Sequence, residues 1–292
     1  MLHETSKKYY LYKEITSVHE DLFVKDLYSA LFLATEPSKY TRDISQLYGI
    51  AHIIAISGFH LAFISFFIYW IFYFPYKFLQ DRFFPYRNRN EDLLIISSIF
   101  IFFYLYFIDF IPSFLRAVIL FLIVTYFYFR SIKILSIYTL LIVILISLAL
   151  FPQYVINVGF WFSVFGVFYI YLFLNYFKHL SNVKIAIFLN IFLFFSMIPI
   201  VHYIFNVISI YQFSSIFFTI IFPIFYPISI VAHIIGFGDI FDNYLIKIFS
   251  LHVDSSIIQI NIYFLLFYIL LSIIAYFNKK AFYLFLALMS SF

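Results

Sequence analysis

Apolar residues run through this chain in repeated stretches of roughly 18–25, each long enough to cross the ~30 Å hydrocarbon core of a bilayer as a helix. Lipid offers no partner to a backbone N–H or C=O, so such runs must satisfy themselves as helices. The fold class expected is therefore all-α: a polytopic membrane bundle of about eight transmembrane helices, some broken or kinked at proline. Of 292 residues, 65% are hydrophobic and 11% charged, against roughly 25% charged in a soluble domain. The sequence has no cysteine, which excludes disulfides, thiol catalysis and cysteine zinc sites. Aromatics reach 26%. They read as bulky filler that lipid tolerates rather than as platforms for stacking bases, with Trp70 and Tyr154 as candidate interfacial anchors.

The spans are expected at about 47–74, closed by Pro75; 93–111; 114–129, after Pro112; 134–151, stopped by Pro152; 154–177; 185–205, around Pro199; 207–235, with Pro223 and Pro227; and 257–277. Ala281 to Phe292 is too short to span and reads as a half-helix or an interfacial tail. Residues 1–46 form a separate, charged extramembrane segment ahead of a transmembrane domain over 47–292. They lack the pattern of a cleaved signal peptide. Within them Leu22, Phe23, Asp26, Leu27, Ala30, Leu31 and Ala34 mark an amphipathic helix for the membrane surface or the bundle, ended by Pro37. A second extramembrane helix is expected over Tyr40–Leu47. Lys77, Arg82, Arg87 and Arg89, then Arg130 and Lys133, Lys178 and Lys184, and Lys247 make alternate loops basic. Those loops are expected to face the cytoplasm, which puts the amino-terminal segment, Lys279 and Lys280 on the other side.

The first run holds a small polar knot, Ser57-Gly58-Phe59-His60, preceded by His52. A hydroxyl or imidazole in lipid needs a protein partner or a wet cavity. His52 and His60 lie two turns apart, near one helical face. They lack the i,i+4 spacing and acidic neighbours of a metal helix, so no metal and no cofactor is expected. Ser57 and His60 are one turn apart, close enough for a hydrogen bond or a nucleophile–base pair; no acid lies nearby in the sequence to orient the imidazole. Arg116, in Pro112-Ser113-Phe114-Leu115-Arg116-Ala117, is the basic residue left inside a span. It either snorkels to the interface or faces an aqueous path, and its planar fork suits phosphate. Asp109 is a candidate partner for it. His202 either borders the interface or joins the same path, to which Asn157, Asn190 and Gln212 are further polar candidates. The sequence carries no Gly-rich phosphate loop or other nucleotide-binding motif.

The run Leu47-Tyr48-Gly49-Ile50-Ala51-His52-Ile53-Ile54-Ala55-Ile56-Ser57-Gly58-Phe59-His60 resembles the signature of the ComEC competence family. Pro112 to Ala117 resembles that family's Arg-Ala landmark. Phe151-Pro152 with Gly159-Phe160-Trp161-Phe162-Ser163 resembles its third, and Pro199 to Phe205 with Ser214-Ser215 and Pro223 its late region. A Gly common before the Arg-Ala landmark is replaced here by the Asp109-Phe110 region, and the late Asn by Ser214 or Ser215. The resemblance implies a multi-pass channel in the inner membrane that passes single-stranded DNA into the cytoplasm during natural transformation. His52, Ser57, Gly58, His60, Arg116, Gly159, Phe160, Ser163 and His202 are the candidate residues of the DNA path. The implied partners are single-stranded DNA, a periplasmic DNA receptor, cytoplasmic DNA-handling proteins, membrane lipids and a second copy forming a homodimer that shares the path. The soluble OB-like and β-lactamase-like metal domains of longer members have no counterpart in the sequence, so nuclease activity is not expected and no catalytic residue is assigned. Two alternatives stand beside the channel. One is a membrane-embedded enzyme using Ser57 and His60 on lipid. The other is a small-solute transporter with helices broken at Gly58, Pro199 and Pro223.

Overall fold

The computed structural model describes residues 7–54, 58–132, 136–250 and 254–290, and they are helical almost throughout. Helix α1 (Lys7–Val18) leads into α2 (Leu22–Leu33), whose first turn is capped by the Asp21 carboxylate accepting from Val24 N. The sequence placed the end of α2 at Pro37, but it closes at Ala34. That residue is in the left-handed region (φ 55°) and returns its N–H to Ala30 O at 3.1 Å. Helix α3 (Lys39–Leu47) is pinned to α2 by Asp26, which accepts from Ser38 N at 2.9 Å and Thr41 Oγ1 at 2.8 Å.

The spans follow. A short α4 (Ala51–Ile54) precedes α5 (Gly58–Phe83), α6 (Arg89–Phe107), α7 (Pro112–Phe129), α8 (Ile137–Leu150), α9 (Val158–Phe177), α10 (Asn182–Phe205) and α11 (Ser214–Ile235). Then come α12 (Asp242–Phe249), α13 (Ile262–Phe277) and α14 (Lys279–Met289). Among the described residues, five stretches are long and apolar enough to cross a membrane: α5, α6, α9, α10 and Ile210–Ile235. Three shorter apolar helices, Phe114–Phe129, Ile137–Leu150 and Ile262–Phe277, fall on the remaining expected runs.

Two expectations change and a third is narrowed. The first apolar run does not begin as one helix at Leu47: Gly49 turns the chain at φ +68° between α3 and α4. Pro75 does not end α5, which continues to Phe83. A proline removes one N–H from the helix, but the residues beyond it are tied to the start of α6, Tyr76 by Asp92 and Gln80 by Arg87 O and Arg89. Of the two readings of the last residues, the half-helix is the one that forms. Helix α14 folds back on α13 and buries Phe282 and Phe285.

The interior divides into three clusters. One gathers α8, α9, α10, α13 and α14 around Tyr169, Leu172 and Tyr268. A second packs Val24, Tyr28 and Leu31 of α2 with Tyr48, Phe222, Tyr226 and Phe249. The apolar face of α2 is therefore spent on the bundle rather than on lipid. The third joins α5, α6 and α7 through Leu61, Ile101, Leu105, Phe114 and Val118. The turn between α5 and α6 is held by Arg87, which grips Asp92 with Nε at 2.6 Å and Nη2 at 2.5 Å, while Tyr76 donates to the same carboxylate. Those hydrogen bonds and the Asp92 charge push the Arg87 pKa further up, so it stays a cation. A two-residue antiparallel ladder, Val207 opposite Ile257 and Ile208 opposite Ser256, ties the loop after α10 to the loop before α13. The outward faces carry large apolar side chains such as Phe66, Phe103, Leu145 and Ile234, as a lipid-facing surface requires.

Candidate functional site: a guanidinium at the amino end of a helix

The turn from α6 to α7 is tight. Asp109 and Phe110 take consecutive positive φ values of 61° and 53°, and Pro112 then opens α7 at a position where its missing N–H costs nothing. Asp109 pairs with Lys8 Nζ of α1 at 3.0 Å, so the sequence-level pairing of Asp109 with Arg116 gives way to one with a segment a hundred residues earlier.

Arg116 sits near the start of α7 and is partly buried. Its guanidinium lies against the amino end of α9. A Cβ placed on Gly159 would stand 3.2 Å from Arg116 Nη2, 3.6 Å from Nη1 and 3.3 Å from Asn157 Oδ1. Glycine is what lets the guanidinium approach so closely. Asn157 caps α9 by accepting from Phe160 N at 3.0 Å. Tyr154 comes from the 3-10 turn Pro152–Ile156. It is buried rather than an interfacial anchor, because its ring stacks on Phe160 at 5.6 Å beside Arg116. A cation at a helix amino terminus has the wrong sign for the helix dipole, whereas an anion there is stabilised by both charges.

Gly58 of α5 lies against α7. A Cβ there would meet Ala117 Cβ at 3.9 Å. Two residues on, His60 is fully buried among rings: Phe222 at 5.5 Å and Tyr226 at 5.0 Å, both edge-on, with Phe59 at 6.2 Å. His52 reaches Thr219 Oγ1 of α11 at 3.3 Å. His202, buried near the end of α10, has Nε2 3.0 Å from Gln212 Oε1 and Nδ1 2.8 Å from Ile198 O. The Gln212 amide in turn donates to Gln46 O at 3.1 Å and Val207 O at 3.0 Å. Gly49 packs against Gln212, with room for no side chain: a Cβ would lie 3.2 Å from Gln212 O.

The structure thus brings Arg116, Gly159 and Phe160 together, sets Gly58 against Ala117, and ties His52, His60 and His202 to α11 and the turn before it. Ser163 is exposed, a turn beyond Gly159. Ser57 lies outside the described residues, as does any pairing of it with His60. Asn190 donates to Ile216 O at 2.8 Å and links α10 to α11. Among the described residues no group of three His, Asp or Glu could hold a metal. Sequence reasoning missed the capping role of Asn157, although Asn just before an apolar run is a recognised helix start. It also missed Thr219 and Tyr226, whose partners lie more than a hundred residues away and leave no local pattern.

These features define a helical membrane bundle with polar groups gathered where helix ends meet. A family model described as "Competence protein" matches residues 35–289. The chain belongs to that family, in agreement with the ComEC-like landmarks of its sequence, and has the role in DNA uptake that the family carries. Comparison with curated proteins and with solved structures gave no match.

Proposed function

We propose that this chain is the inner-membrane channel through which single-stranded DNA enters the cytoplasm during natural transformation, and that Arg116 at the amino end of α9 is its phosphate contact. The observation that carries the reading is the Arg116 guanidinium lying 3.2 Å from the Cβ position of Gly159. Strand phosphates recur about every 3.4 Å. Each one crossing hydrocarbon needs a hydrated or cationic neighbour in place of water. A guanidinium fork and the free N–H groups of a helix start are two such donors aimed at one point. Gly58 and Gly159 keep the approach open, and Phe160 and Tyr154 hold the fork from behind. His52, His60 and His202 are proposed as path residues on the α11 side, and Ser163 as its exposed rim.

In this reading residues 47–292 are the transmembrane domain, and residues 1–46 lie over it outside the hydrocarbon. A periplasmic DNA receptor hands the strand in, and cytoplasmic DNA-handling proteins draw it out. Cationic lining is sparse in one copy, which favours a homodimer that shares the path.

The test is a deletion strain given labelled DNA. Label that is bound by the cell but withheld from the cytoplasm, with transformants lost, supports the channel. Normal transformation with an altered lipid profile would replace it with the lipid-enzyme reading.

A further inference from the structure

Helices α1 and α2 lie ahead of the family-matched range, and the joint between them holds a buried cluster that the channel reading does not use. His19 follows α1 directly, and its side chain has no exposed surface. Its Nδ1 faces both oxygens of Asp242, at 3.0 and 2.8 Å. Its Nε2 faces His233 Nε2, on the last turn of α11, at 3.0 Å. The Nδ1 of His233 faces Ser229 O at 2.7 Å.

Protons can be counted on that chain of contacts. An ionised carboxylate and a carbonyl only accept, so each Nδ1 must donate. In two neutral rings with protons on Nδ1, both Nε2 atoms carry lone pairs, and here they point at each other across hydrogen-bond distance. The contact becomes attractive only with a proton between them. Moving protons elsewhere does not change the total. If His19 donates from Nε2 instead, its Nδ1 needs a proton from a neutral Asp242. If His233 does so, its Nδ1 lone pair is turned on a carbonyl. Every arrangement in which all four contacts are made holds one proton more than an ionised Asp242 and two neutral imidazoles, a property of the coupled group rather than of one ring.

We propose that His19 and His233, oriented by Asp242 and the Ser229 carbonyl, form a binding site for a single proton, and that this shared proton docks the amino-terminal segment onto the end of α11. The proton comes from water and returns to it, and the small exposed edge of Asp242 is the way in. Bound, it makes an imidazolium whose charge Asp242 cancels. Released as pH rises, it leaves two facing lone pairs, and the joint opens. The titratable and charged groups that face the pair are Asp242 from α12 and Tyr28 from α2, whose ring stacks on His19 at 4.6 Å. Asp21 is occupied in capping α2, and Glu20 is exposed. Gly238, in the 3-10 turn before α12, leaves room for the His233 ring: a Cβ there would fall 2.9 Å from Cδ2.

The experiment uses the full chain in lipid nanodiscs, labelled with 15N-histidine. At pH 6 the proposal expects a pair of Nε2 resonances sharing a proton, both lost in His233→Gln and both moved to neutral values by pH 9. Tryptic cleavage after exposed Lys13, referred to a free peptide at each pH, reads the docking, because cleavage follows the population of the open form. It is expected to be about tenfold or more faster at pH 9 than at pH 6, the scale of one charge-assisted hydrogen bond. Asp242→Asn is the decisive variant. Its amide donates to His19 Nδ1, so His19 Nε2 donates to His233 without an extra proton. Cleavage in this variant should stay slow at both pH values, and in His19→Ala it should be fast at both. If any variant fails to fold, the wild-type spectra alone still decide. Two unprotonated Nε2 atoms at pH 6, a pH dependence unchanged in Asp242→Asn, or a paired signal that appears only with added Zn2+ and vanishes with chelator would each overturn the proposal.

Discussion

Two buried polar sites in this molecule solve opposite problems. At the amino-terminal joint His19, Asp242 and His233 form a chain of contacts that one shared proton would close, so that every acceptor meets a donor. At the start of α7 the charges are instead gathered with the same sign, with the Arg116 guanidinium set against the positive end of α9. A closed chain of contacts is what a structural joint needs. An arrangement that gathers one sign of charge favours an anion beside it, and the strand proposed to pass it is a polyanion. Of the first site only His19 lies ahead of the family-matched residues, while its partners and the whole of the second lie inside them.

The largest effect expected from separating the two is at Arg116. Arg116→Ala should lower transformation about a hundredfold with the protein still inserted in the membrane, as loss of a charged hydrogen-bonding group in a low-dielectric site implies. Arg116→Lys sharpens the point: the charge remains, the fork does not, and a fall of about tenfold is expected. Uptake equal to wild type in the lysine variant would leave the site a point charge and remove the bidentate contact. At the joint, His19→Ala should cost about 1–3 kcal/mol of stability by leaving Asp242 and His233 without their partner, measured as a lower melting temperature in detergent. Transformation should fall far less than in Arg116→Ala; equal losses would erase the contrast between the regions. Gly159→Ala comes next. Its methyl would press on the guanidinium at 3.2 Å, and transformation should drop a few-fold while thermal stability holds. Ser163→Ala, exposed and a turn away, should stay within about twofold of wild type, the ordinary outcome of a surface change.

Much of the architecture was legible in the sequence because lipid imposes one rule on every span. Among the described residues each apolar run carries a helix, and Pro112 and Pro152 mark real starts of α7 and of the turn before α9. Pro75 misled because the helix beyond it is held by contacts that no local pattern announces, Tyr76 with Asp92 and Gln80 with Arg87 O and Arg89. Two helices of the amino-terminal segment were placed within a few residues, but not what α2 lies against, since an amphipathic face looks the same whether it covers lipid or the side of α11. Arg116 stood out as a charge within a span. Its neighbour Gly159 was reached through the family landmarks alone, and no spacing rule joins positions 43 residues apart. Asp109 shows the reverse error: nearness in sequence favoured Arg116, while the fold delivers Lys8. The His19 joint was invisible for the same reason, its members being more than two hundred residues apart.

The central claim is most directly tested by following labelled DNA in cells whose only copy of the chain carries Arg116→Ala. The account predicts that label accumulates outside the cytoplasmic membrane and that little or no labelled strand appears in the cytoplasm. Labelled strand reaching the cytoplasm at the wild-type rate would contradict it.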